Sequence, residues 1–270
     1  MRRARFSVMP ACLTSCGPMT EPFTEDAFLG GKLRLRQLKS GHRAGHDAML
    51  LAAATSARPG DRVVDFGAGV GAAGLALAQR VAGIELVLVE IDPALAELAR
   101  GNAAANAVAA EVVVLDVTSA TAGFALAGLT PDSVDVVLMN PPFNDSARHR
   151  ASPDQARVSA HVATATTLEG WVHAARRILK SGGVLTMIWR ADGLVELLAA
   201  LDRGFGSLAI LPVHGDDASP AIRVLVRAIK GGKAPLRLHA ALMLNSEAAM
   251  PNRQVQDVLA GKGVLPLALP

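Results

Sequence analysis

The chain has 270 residues, 51% of them hydrophobic, with a formal net charge of +3 and an isoelectric point near 9.2. That is enough apolar material for one sizeable core, and its short apolar runs stay well below the roughly 20 residues of a membrane helix, so the reading is a soluble, cytoplasmic protein. The cysteines, Cys12 and Cys16, are too few for a disulfide framework or a zinc site, and no metal is expected.

Residues 1–19 begin with Arg2, Arg3 and Arg5 but lack the continuous apolar segment of a secretory signal. They read as a disordered leader, with Met19 as a second candidate start. Residues 20–58 form an N-terminal element. A strand or hairpin is expected over 28–40, broken at Gly30-Gly31, in which Lys32, Arg34 and Arg36 alternate with Leu33, Leu35 and Leu38. The period of two gives one apolar and one cationic face, which suits a solvated strand and a phosphate-contacting surface equally. An apolar helix over 46–57 stops before Pro59-Gly60.

From 59 to 232 strands and helices alternate. Strands are expected at Val63–Phe66, Glu85–Glu90, Val112–Leu115, Val134–Met139, Val184–Trp189, Leu208–Val213 and Ile222–Ile229. Helices fall at Gly71–Val81, Pro93–Ala105, Thr164–Leu179 and Leu194–Leu201, with an irregular stretch from Gly123 to Pro131. This alternation implies an α/β fold of the Rossmann-like kind, a mostly parallel sheet covered on both faces. Only His214–Pro220 separates the last two strands, too short for a parallel crossover, so they should close the seven-stranded sheet as an antiparallel hairpin. Residues 233–270 read as an appendage with a short helix near Val255–Ala260.

Val63-Val64-Asp65-Phe66-Gly67-Ala68-Gly69-Val70-Gly71 is a strand running into a glycine turn and a helix. Glycines let the backbone approach a ligand, and a helix start offers free N–H groups. Gly69, Gly71 and Gly74 would also serve a dinucleotide, with Glu90 at ribose distance. Two features favour S-adenosylmethionine. The Asp65 carboxylate can meet the cationic amino group of the methionine moiety, whereas it would repel a pyrophosphate. Glu90, ending its strand, can accept both ribose hydroxyls, and Asp116 can then reach the adenine amino group.

The strand Val134–Met139 delivers Asn140-Pro141-Pro142-Phe143. The prolines fix φ and remove two N–H groups, leaving carbonyls free. A planar –NH₂ needs two acceptors on one side, and the Asn140 side-chain oxygen and the Pro141 carbonyl can supply them. Phe143 can stack on a flat target group. After it, Asn144 to His161 carries Arg148, His149, Arg150 and Arg157 and reads as a loop beside the target pocket.

Asp65-Phe66-Gly67-Ala68-Gly69, Glu90 and Asn140-Pro141-Pro142-Phe143 resemble the amino-methyltransferases, class I enzymes acting on adenine N6, guanine N2 or protein glutamine. Residues 41–51 and 227–236 are similar to one branch, the tRNA (valine) adenine-N6 methyltransferases. The resemblance implies an S-adenosylmethionine-dependent N-methyltransferase acting on RNA, first of all tRNA. It implies Asn140, Pro141 and Phe143 as catalytic residues, and Asp65, Gly67, Gly69, Gly71, Glu90, Asp116 and Asn140 at the cofactor. It adds His46 and Asp47 as cofactor contacts, although His46 stands where a hydroxyl residue is expected. Phe143 in place of tyrosine echoes the ribosomal guanine-N2 enzymes, which keeps the target base open. A nicotinamide-dependent oxidoreductase is the alternative from another class, and a non-catalytic RNA-binding protein is a third.

Overall fold

A computed structural model describes residues 23–39, 43–142, 167–245 and 252–269. Its first elements are β1 (Phe23–Phe28), β2 (Leu33–Leu38), α1 (His46–Ala54), β3 (Arg62–Phe66), α2 (Ala72–Arg80), β4 (Glu85–Glu90), α3 (Pro93–Ala105) and β5 (Ala110–Val114). They are followed by α4 (Thr121–Leu126), β6 (Val134–Met139), α5 (167–178), β7 (Leu179–Arg190), α6 (Leu194–Leu201), β8 (Phe205–His214) and β9 (Ala221–Lys230). Two-residue strands β10 (Arg237–Leu238) and β11 (Leu242–Met243) and helix α7 (Arg253–Leu259) complete the chain.

The main sheet runs β10-β8-β9-β7-β6-β3-β4-β5, with β11 also on β8. Strands β5, β4, β3, β6 and β7 are parallel, while β9 lies between β7 and β8, antiparallel to both. The expected hairpin is therefore present, and the sheet is nine-stranded because the tail adds two short edge strands. The central strands are buried on both faces, as Val-rich runs such as Val63-Val64 and Val136-Val137 require. The expected break at Ser181-Gly182-Gly183 is instead a register shift inside β7, which α5 enters directly. Helix α4 occupies part of the stretch expected to be irregular. Helix α1 stops at Ala54, short of expectation, because Thr55 is extended and its hydroxyl turns back to the Leu51 carbonyl at 2.8 Å.

One face of the sheet is covered by α1, α2 and α3. The other is covered by α4, α5 and α6 through Phe124, Trp171 and Leu197. The β1–β2 hairpin packs on the first face through Leu33 and Leu35, both 0% exposed. Gln37, not Leu38, continues this inner row, accepting from the Ala44 N–H at 2.7 Å and donating to Asp26 at 2.8 Å. The free edge of β2 is paired with α3. Asn106 accepts from the Arg34 N–H (2.9 Å) and donates to its carbonyl (2.7 Å), and Asn102 does the same for Arg36 (2.8 and 3.1 Å). Four helical residues rise about 6 Å, close to two residues of strand, so asparagines four apart match alternate strand residues.

The tail is more than an appendage. Leu265 and Leu267 are fully buried against α1, the Leu265 N–H reaches the Ala53 carbonyl at 2.9 Å, and Arg227 of β9 donates to the carbonyls of Leu267 and Leu269. No helix among the described residues is long and apolar enough to cross a membrane.

Candidate active site

Phe66 is paired with Val89 on one side and Met139 on the other, so Glu90, Gly67 and Asn140 stand in a row one residue further along, at the carboxyl ends of β4, β3 and β6. With strands about 4.8 Å apart, the backbones of Glu90 and Asn140 lie roughly 10 Å apart across the glycine turn. Ligands of open α/β sheets bind at this edge.

Gly67, Gly69 and Gly71 have φ of 66°, 57° and 88°, a region that excludes most side chains. Their surroundings differ. A Cβ on Gly67 would come within 2.4 Å of Trp171, whose ring packs edge-on to Phe66, so this glycine serves packing. A Cβ on Gly69 would meet nothing within 4 Å, so the backbone there fronts open space.

Glu90, 6% exposed, accepts from the Gly69 N–H at 2.7 Å with one oxygen and from the Asp92 N–H at 2.9 Å with the other. Each oxygen keeps a second lone pair for a hydroxyl. Asp65, 2% exposed, accepts from the Gly74 N–H at 2.8 Å in the first turn of α2, holding the loop from below. Burial pushes its carboxyl up to about 7, the Glu90 charge adds to this, and the Gly74 hydrogen bond opposes it. Neither acid forms an ion pair among the described residues. A cationic group placed beside these two buried acids would favour their ionised forms.

The other expected residues are more scattered. Asp116 is exposed, and one of its oxygens closes a turn on the Thr118 N–H (2.8 Å) and hydroxyl (2.7 Å) just beyond β5. His46 is the exposed first residue of α1, capped by Gly45. Asp47 is in the first turn rather than at the cap, and its carboxylate takes the Arg223 guanidinium of β9 at 3.0 Å. Arg223 stands opposite Arg190 across β7 and β9, so Asp47 offsets a pair of like charges.

Asn140 supplies the sharpest observation. Its side-chain oxygen is buried and has no hydrogen-bond partner among the described residues. A buried acceptor without a partner calls for an explanation, and at the end of this strand a donor from a bound ligand would supply one. Pro141 is buried beside it and Pro142 is exposed. Phe143, Asn144 to His161, and Gly41-His42 lie outside the described residues.

Sequence reasoning missed Asn102. It is 2% exposed in α3, and its remaining amide proton goes to the Val70 carbonyl of the glycine turn at 2.9 Å. The available signal was an asparagine, a poor helix former, inside an alanine-rich helix, with a second one four residues on at its C-cap.

A parallel sheet with one antiparallel strand near its edge, a glycine turn beside two uncompensated acids, and an unsatisfied acceptor ending the neighbouring strand together define a Rossmann-like methyltransferase with S-adenosylmethionine as its donor. Glu90, Asp65 and the backbone around Gly69 would hold the donor, which when bound supplies an electrophilic methyl group. Residues 40–214 match the model of the methyltransferase small domain, and the chain belongs to that family. It is 30% identical over 178 residues to a tRNA1(Val) (adenine(37)-N6)-methyltransferase of Porphyromonas gingivalis, covering 64% of this chain and 68% of the relative. The enzyme of the same name from Erwinia tasmaniensis is 31% identical, covering 68% and 74%. Among solved structures, a predicted O-methyltransferase of Agrobacterium tumefaciens superposes with a TM-score of 0.68 at 33% identity, over 81% of this chain and 98% of that one. The Thermus thermophilus 16S rRNA N2 G1207 methyltransferase, with AdoMet and guanosine bound, shares the fold at a TM-score of 0.53 and 24% identity, over 77% and 50%.

Proposed function

We propose that the protein methylates an exocyclic amine of a nucleobase in RNA, with adenine N6 of a tRNA as the first candidate, and that it does so in the cytoplasm. The unpartnered Asn140 oxygen carries this reading. An –NH₂ brings two protons to one side, and Asn140 with the Pro141 carbonyl offers two acceptors. These bonds draw the nitrogen toward tetrahedral geometry and aim its lone pair at the donor, so catalysis is mainly positioning. Phe143 would stack on the base. His46 and Asp47, at the start of α1, and Asp116, beyond β5, are proposed as flanking contacts of the donor.

The names of the relatives favour RNA. Guanine N2 and a glutamine amide present the same two protons and remain outcomes of the test. A hydroxyl presents one, which would leave an acceptor unfilled. Family membership argues against the nicotinamide alternative.

Incubation with labelled S-adenosylmethionine and separate tRNA and rRNA fractions, followed by mass spectrometry of nucleosides, tests the proposal. N6-methyladenosine in tRNA is expected. Label found only in protein, or in no macromolecule, would overturn it.

A further inference from the structure

The glycine turn is gripped from both faces of the sheet. Side chains alternate along β3, so Asp65 points to the side of α1 to α3 and accepts from the Gly74 N–H at 2.8 Å, while Phe66 points to the side of α4 to α6. On that second side the Trp171 ring of α5, 8% exposed, packs edge-on against Phe66 with centroids 6.5 Å apart. The ring also reaches the turn itself. A Cβ built on Gly67 would lie 2.4 Å from Cη2 and 3.0 Å from Cζ3 of Trp171, so the outer edge of the indole rests on the Gly67 backbone. We propose that Trp171 is a positioning residue for methyl transfer, setting the shape of the turn that receives the donor. The inference rests on the methyl-transfer reading above and adds to it a side chain that acts through the backbone of Gly67.

Three observations support it. Glycine populates positive φ about as readily as negative φ, so the φ of 66° at Gly67 has to be selected by its surroundings. The indole does this, because it fills the side on which a Cβ would stand. Next, the conformation of Gly67 directs the N–H groups that follow it. Ala68 donates to the Val89 carbonyl at 2.9 Å, and Gly69 donates at 2.7 Å to Glu90, the acid proposed for the ribose hydroxyls of the donor. A turn released at Gly67 would swing both. Last, the start of α5 touches a second part of the same site. A Cβ on Gly170, next to Trp171, would lie 3.4 Å from the Thr118 methyl group, and Thr118 donates its hydroxyl to Asp116 at 2.7 Å. One stretch of helix therefore backs both the glycine turn and the Asp116 turn.

Trp171→Phe and Trp171→Leu test this on the full chain. Phenylalanine keeps an aromatic ring beside Phe66 but lacks the outer indole atoms that meet Gly67, and leucine removes the ring altogether. In both variants Kd for S-adenosylhomocysteine by calorimetry and KM for S-adenosylmethionine should rise about tenfold, since small misplacements carry costs of this size. KM for RNA should stay unchanged. A residue that only filled the core would lower the melting temperature and leave both donor-site constants where they are. A double-variant cycle is the second measurement. Gly67→Ala should lower the melting temperature by less in the Trp171→Phe chain than in wild type, because its methyl group no longer meets the ring. Unchanged donor-site constants in Trp171→Phe, or fully additive losses of melting temperature, would overturn the proposal. A wild type that methylates no RNA, beside variants that lose S-adenosylhomocysteine affinity, would sink the functional reading alone.

Discussion

Asn102 and Arg36 are joined by two hydrogen bonds, Arg36 N–H to the asparagine oxygen at 2.8 Å and asparagine amide to the Arg36 carbonyl at 3.1 Å, while the same amide group also holds the Val70 carbonyl. One buried side chain thus ties the hairpin to the glycine turn. Asn102→Ala leaves three backbone groups short of a partner. It should lower unfolding free energy by about 2–3 kcal/mol in urea titration and weaken S-adenosylhomocysteine binding measured by calorimetry. Unchanged binding would mean that the turn holds its shape without this contact.

Asn140→Ala separates stability from activity. Removing an acceptor that has no partner among the described residues should leave the melting temperature unchanged or raise it. Methyl transfer should fall by about 10²- to 10³-fold, the usual cost of losing one preorganised hydrogen bond in a transition state. A large drop in melting temperature would show that the oxygen is engaged in the folded protein.

Asp65 predicts an unusual pH profile. Its carboxyl is raised from 3.8 to about 7 in the folded chain, so the folded state binds the proton more tightly than the unfolded state. Stability is then greatest below about pH 4 for this group and declines as pH rises toward 7. At about 1.4 kcal/mol per pH unit, the loss is on the order of 4 kcal/mol at most. Asp65→Asn should flatten the unfolding free energy across that window. Parallel curves for the two proteins would refute the assignment.

Gly67 and Gly69 should respond differently to alanine. Both sit at positive φ, which costs about 1 kcal/mol, but only Gly67→Ala drives a methyl group into Trp171. Gly67→Ala should therefore unfold at clearly lower temperature, by several degrees more than Gly69→Ala. Gly69→Ala should remain folded and lose S-adenosylhomocysteine affinity, read by calorimetry.

Most of the alternating core could be read from the chain because buried parallel strands leave continuous runs such as Val134–Met139 between turn residues. The row of Glu90, Gly67 and Asn140 was legible for the same reason, since each directly follows or ends such a run. Other features depend on partners far away in sequence. Nothing local distinguishes Gly67 from Gly69, because Trp171 supplies the difference. Strand β1 was missed in part because Phe-Thr-Glu-Asp-Ala-Phe has no fully buried residue and carries two acids. Asp47 is paired with Arg223 through the antiparallel insertion of β9, which no spacing within the helix encodes. Leu265 and Leu267 carry no periodic signal, as they lie in an extended stretch ending in a 3₁₀ turn.

The closure of α1 by Leu265 and Leu267 brings together segments far apart in the sequence. During synthesis, the oily surface around Leu50 and Leu51 lacks this lid until Leu265 and Leu267 have left the ribosome. Strand β9 imposes a similar wait, because it must slot between two strands made before it. Such long-range closure is slow. Nascent chains therefore pass through a sticky interval in which a chaperone has something to grip, and refolding from denaturant should yield more aggregate as protein concentration rises.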